Sequence, residues 1–244
     1  MQLNPQLPIV ALDFASQKEI LDFIALLPQE PLNLKIGMEA FYLSGPDLVE
    51  RIVEMGHAVF LDLKLHDIPN TVKRSMKILA GLQVAMVNVH AAGGYKMMEA
   101  AKDGLLQGTG SGQTCPKLIA VTQLTSTSQQ QVISEQLIEV GLEASVLHYA
   151  RLSQAAGLDG IVCSPHEAKA IKQATQLDFI TVTPGIRPQK IHSLDDQHRV
   201  ADIPTAKANG CDFLVIGRPI TQADNPRQVY LDIVSQLANS NQSV

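Results

Sequence analysis

The stretch AVFLDLKLHDIPNT, Ala58 to Thr71, decides the fold. Side chains on a strand alternate faces with period two. Val59, Leu61, Leu63 and Leu65 therefore share one side, suited to packing under helices. Phe60, Asp62, Lys64 and His66 share the other. A strand that is aliphatic on one side and acquires charge only toward the end of the other fits a parallel barrel. There the outer side meets helices and the carboxyl ends of the inner side build a site.

Seven further β-type runs flank this one, giving 8–14, 32–37, 58–66, 86–91, 117–125, 160–165, 179–186 and 213–219. Helix signals lie between them. Ser16 and Glu19 form a capping box ahead of Ile20, Leu21, Ile24 and Leu27. Ser164, Pro165 and Glu167 open a second helix in the same way. Asn225 and Pro226 open the last, with Val229, Tyr230, Ile233, Val234 and Leu237 on its apolar face. Strict β/α alternation implies a parallel sheet, and eight units in 244 residues imply one (β/α)8 barrel spanning 1–244. An open doubly wound sheet is the alternative, but no GxGxxG follows the first run. The longest interval, 126–159, has room for a small extra helix.

Composition narrows the function. Hydrophobic residues are 45% and charged residues 18%, enough apolar side chains for a full core. A net charge of -5 with 4% aromatics provides no general basic surface, so nucleic acid is not an expected partner. No apolar run approaches the length of a membrane span, and MQLNPQLPIV lacks the pattern of a signal peptide. Cys115, Cys163 and Cys211 are far apart and odd in number, which reads as free thiols in a reducing compartment. A cytoplasmic protein is expected.

In a barrel, polar groups should collect where the strands end. Here they are Asp13, Lys35, the Asp62–Lys64–His66 series with Asp67, Thr125, Pro184 with Arg187, and Gly217 with Arg218. A buried ammonium is costly unless paired, so Asp62 and Asp67 are expected around Lys64. The plainer alternatives are a structural ion pair for Asp62 and Lys64, and a helix cap ahead of Pro69 for Asp67. His66 reads as a rim residue, and His90 as either a core histidine or a site residue; no histidine has metal-ligand spacing. GRPI after the last run offers two backbone N–H groups and a guanidinium, the makings of a phosphate grip. TPGIRP adds Arg187 ahead of a long polar loop through SLDDQHRV, which reads as a lid.

DLKLHDIPNT, LTS, PGIRP, DDQHRV and IGRPI, in that order on one barrel, resemble the orotidine 5'-phosphate decarboxylase family over nearly the whole chain, in its stand-alone form. The resemblance implies decarboxylation of orotidine 5'-monophosphate to uridine 5'-monophosphate in pyrimidine biosynthesis, without metal or organic cofactor. It implies that Asp13 and Lys35 hold the ribose hydroxyls and that Asp62 lies beside the departing carboxylate. Lys64 would protonate C6. Thr125 and Ser126 would contact the pyrimidine. Gln197, Gly217 and Arg218 would grip the phosphate, with Pro184 and Arg187 in the loop over it. Asp67 and Thr71 would reach the neighbouring subunit's site, hence a homodimer. The D-x-K-x-x-D core alone is shared with sugar-phosphate lyases and isomerases that use Mg²⁺, and such an enzyme is the alternative.

Overall fold

The computed structural model describes residues 1–188 and 200–240. Eight strands form a closed barrel in chain order: β1 (Ile9–Ala11), β2 (Asn33–Gly37), β3 (Ala58–Leu65), β4 (Met86–His90), β5 (Lys117–Val121), β6 (Gly160–Val162), β7 (Ile180–Thr183) and β8 (Phe213–Ile216). Every neighbouring pair is parallel, and β8 closes onto β1 through Ile9 opposite Val215. The helices described are α1 (Gln17–Leu26), α2 (Met38–Glu54), α3 (Pro69–Gly81), α4 (Tyr95–Gly108), α5 (Gln129–Ser134), α6 (Gly141–Ala155), α7 (Ala168–Ala174), α8 (Ile203–Ala208), α9 (Arg218–Thr221) and α10 (Pro226–Ser240). This is a (β/α)8 barrel. No helix among the described residues is long and apolar enough to cross a membrane.

Alternation along each strand sorts the core into two compartments. The inner one holds Ile9, Ala11, Phe60, Met86, Ile119, Val182, Phe213 and Val215. The outer one, between strands and helices, takes Val59, Leu61 and Leu63, with Leu65 packed against it. The period-two reading of β3 holds for these positions and for the inward-facing Phe60. β5 and β7 are shorter than their sequence runs, because the backbone leaves the ladder ahead of the carboxyl end of each run. β5 stops at Val121 and β7 at Thr183, so Thr125, Pro184 and Arg187 lie on loops beyond the sheet.

Local signals explain most helix starts. The Ser16 hydroxyl accepts from the Glu19 N–H at 3.2 Å, and Asn225 Oδ1 accepts from the Gln228 N–H at 3.1 Å. At Ser164 the cap runs the other way. Its N–H donates to Glu167 Oε2 at 2.8 Å, and α7 begins only at Ala168. The interval 126–159 holds the short α5, opened by a Ser128–Gln131 capping box, as well as α6.

The amino-terminal side of the barrel is pinned by two half-buried carboxylates and a buried histidine. Asp159, ahead of β6, accepts from the Leu118 N–H at 2.9 Å, Lys102 at 2.7 Å and Lys117 at 3.0 Å. Asp212, ahead of β8, does the same for the Thr181 N–H and Lys172, both at 2.7 Å. The buried His57 accepts the Leu32 N–H on Nδ1 at 3.2 Å. All three cysteines are free thiols, with Cys163 and Cys211 buried and Cys115 half-buried. Burial pushes the Cys211 thiol up to about 11.

Candidate active site

At the carboxyl end of the strands lies a cavity of about 280 Å³. Its wall is apolar where Phe60, Val121, Val162, Val182 and Val215 face inward, and polar around the mouth. Asp13, Lys35, Asp62, Lys64, Thr125, Ser126, Pro184, Arg187, Gly217 and Arg218 all line it. Asp67 and Thr71 do not. Gln197 and most of the expected lid lie outside the described residues.

One wall carries a chain of alternating charges from the loop after β1 across β2 and β3. Lys35 Nζ stands 3.1 Å from Asp13 Oδ1 and 3.5 Å from Asp62 Oδ2. Lys64 Nζ donates to Asp62 Oδ1 at 2.7 Å. Asp13 is open to solvent, whereas the Lys35 and Asp62 side chains are each only 12% exposed. Burial would push the Asp62 carboxyl up, but the Lys35 and Lys64 ammoniums and the hydrogen bonds from Lys64 and Asn88 outweigh it. The group is held below the ordinary carboxylate range. The result is a fixed carboxylate with an ammonium on either side, facing an apolar hollow.

Lys64 reaches this position through an unusual backbone. Its φ is +52°, a left-handed conformation costing an L residue about 1–2 kcal/mol. The ladder to β4 breaks here. Leu61 pairs with Val87 and Leu65 with Val89, so Asp62, Leu63 and Lys64 stand opposite Asn88 alone. Asn88 fills the gap. Its Oδ1 accepts the Lys64 N–H at 2.7 Å, and its Nδ2 donates to Asp62 Oδ1 at 2.6 Å.

Asp67 corrects the expectation of two acids around Lys64. Among the described residues, Asp62 is the ion-pair partner of Lys64 within the chain. Asp67 is exposed, and its Oδ1 accepts the Ile68 N–H at 2.7 Å. It is not the side-chain cap of α3, whose cap position is Ile68. His66, expected on the inward side, does not line the cavity either. The strand ends at Leu65 and the His66 ring turns to His90, centroids 5.9 Å apart. Burial, His66 and Lys64 lower the His90 pKa, outweighing Asp62. No cluster of metal-ligating side chains occurs among the described residues.

The wall formed by β7 and β8 supports an anion site. Gly217 precedes α9, which brings Arg218 to the cavity mouth beside Arg187. A Cβ on Gly217 would make ordinary contact with the Ala11 Cβ at 3.4 Å, so the Gly217 backbone packs closely against β1. Arg187 is fixed by its N–H donating to the Ala201 carbonyl at 2.9 Å.

The model of the orotidine 5'-phosphate decarboxylase / HUMPS family matches residues 6–233. The chain belongs to that family. It is 55% identical over 227 residues to the orotidine 5'-phosphate decarboxylase of Enterococcus faecalis, covering 93% of this chain and 95% of that one. It is 54% identical over 224 residues to that of Lactococcus lactis subsp. cremoris, covering 91% and 94%. The crystal structure of the Lactobacillus acidophilus orotidine 5'-phosphate decarboxylase superposes with a TM-score of 0.85 at 39% identity, covering 95% of this chain and 98% of that one.

Two polar residues of this decarboxylase-family site escaped the sequence reading. Asn88 interrupts the apolar run MVNVH on the same side as the inward-facing Met86, a signal that alternation alone could have revealed. Gln123 lies just beyond β5, 7% exposed, and lines the cavity. It exchanges amide hydrogen bonds with Gln136 at 2.9 and 3.2 Å, and its Nε2 also lies 3.1 Å from the Ser145 hydroxyl. No motif marks Gln136 as its partner, because the contact crosses a loop and a helix.

Proposed function

We propose that this chain decarboxylates orotidine 5'-monophosphate to uridine 5'-monophosphate and CO₂, with Lys64 as the proton donor. The observation that carries the reading is the Asp13–Lys35–Asp62–Lys64 array against the apolar hollow. When the bond from C6 to the carboxylate breaks, the electron pair stays on C6. No neighbouring π-system accepts it, so stabilisation must be electrostatic. A fixed ammonium in a site shielded from water supplies that stabilisation and then delivers its proton to C6. Solvent reprotonates Lys64 after release. Asp62, held ionised, disfavours the reactant carboxylate more than a carbanion, and it fixes the ammonium.

The remaining residues are assigned to binding. Asp13 and Lys35 hold the ribose hydroxyls, and Thr125 and Ser126 meet the pyrimidine. Arg218 with the Gly217 backbone, joined by Gln197, grips the phosphate, while Pro184 and Arg187 carry the loop over it. The phosphate is remote from C6, yet its binding energy sets the ring against Lys64. The protein functions as a cytoplasmic homodimer in this reading, with Asp67 and Thr71 reaching the partner's cavity. Their place outside their own cavity supports this, as does Ile68 beside them, 67% exposed.

The direct test follows substrate absorbance with purified, EDTA-treated enzyme. Turnover without added metal is expected. Failure to turn over at micromolar enzyme, or turnover of a keto-sugar phosphate only with Mg²⁺, refutes the reading.

A further inference from the structure

We propose that Asn88 is a positioning residue for the decarboxylation, its one amide clamping both the Asp62 carboxylate and the Lys64 peptide so that the ammonium enters the cavity. This rests on the assignment of Lys64 as proton donor. The bulge creates the need. Three residues of β3 face one of β4, so the ladder cannot supply the Lys64 N–H with a carbonyl in the usual register. A buried N–H without a partner is rarely tolerated. At the same place Asp62 Oδ1, already bonded to Lys64, has a lone pair left for a further donor.

Asn88 serves both groups at 2.7 and 2.6 Å while only 1% exposed. A primary amide offers an acceptor and a donor on one planar group. Aspartate there would keep the acceptor but set a second carboxylate against Asp62. Glutamine would add a methylene to a filled position. The left-handed Lys64 backbone is over-determined by this clamp, as strained residues at functional sites tend to be. Asn88 need not touch substrate. It acts through the direction of the Lys64 side chain and the ionisation of Asp62.

Asn88→Ala tests this, with kcat, KM and the pH dependence of kcat measured beside thermal melting. The expected result is a fall in kcat of about 100-fold with KM within about 3-fold of the parent. The acid limb of kcat should move to higher pH, since Asp62 loses a donor. Parent-like kcat with an unmoved limb overturns the proposal. So does a matched loss in kcat and KM with an unmoved limb, which would mark general loosening. If the alanine variant does not fold, Asn88→Asp decides. It preserves shape and the Lys64 contact, and an acid limb left in place would overturn the clamp. The parent's own turnover and the Lys64→Ala variant report separately on the proton-donor assignment.

Discussion

Lys64 is where the chemistry concentrates, and three substitutions separate its role from those of its neighbours. Lys64→Ala should cut kcat by about 10³-fold or more while the melting temperature stays near the parent's. A near-normal rate would refute proton donation. Asp62→Asn keeps the shape but removes the charge between two ammoniums and the repulsion of the reactant carboxylate, so kcat should fall steeply without a rise in KM. The parent, whose Asp62 is held below the ordinary carboxylate range, should stay active in mild acid. Arg218→Ala should raise KM for the nucleotide by about 10- to 100-fold, the worth of a charged hydrogen bond. A nucleoside lacking phosphate should be handled as before; equal losses on both would contradict the grip. At this scale the sequence was highly legible. The charged positions announce themselves because polar residues on an inward strand face are costly without a purpose. The left-handed Lys64 was not legible, because its cause sits on the adjacent strand in Asn88.

Among the elements, β2 and β3 are coupled through His57, and this coupling has a pH signature. Burial lowers the His57 pKa from 6.5, and its Nδ1 must stay unprotonated to accept the Leu32 N–H. The unfolded chain therefore binds more protons than the folded one between the two pKa values. Stability should be full above about pH 6.5 and fall as pH drops from there through the folded value. His57→Gln, neutral throughout, should flatten that part of the stability curve in denaturant melts at pH 7, 6 and 5. Identical slopes for both proteins would exclude the assignment. Element order and type followed from the sequence because apolar runs and caps are local. Strand ends did not, since an apolar run cannot reveal where the ladder gives way to loop, as at Val121 and Thr183.

For the whole molecule, the two faces of the barrel have different tasks. The amino-terminal face is held by Asp159 and Asp212, each tying a backbone N–H and at least one lysine. Asp159→Asn should cost about 2 kcal/mol, lowering the melting temperature by about 5 °C with kcat unchanged. Burial would raise the Asp159 pKa, but Lys102, the Leu118 N–H and Lys117 together hold it below 3.8. Its contribution should therefore be complete above that value and lost as pH falls through the lower folded value. The opposite face tests assembly. Mixing Lys64→Ala with Asp67→Ala protein should restore about a quarter of the parent rate, since half the dimers are mixed and each has one sound site. No recovery despite proven subunit exchange would refute the action of Asp67 across the interface.

The three-against-one mismatch between β3 and β4 bears on enzyme design. Grafting D-x-K-x-x-D into a foreign barrel transfers the letters without the peptide geometry that makes the cation useful. A host whose neighbouring strand keeps regular register would leave the grafted amine aimed elsewhere. The smallest transplantable module is therefore a strand pair, with the amide donor included.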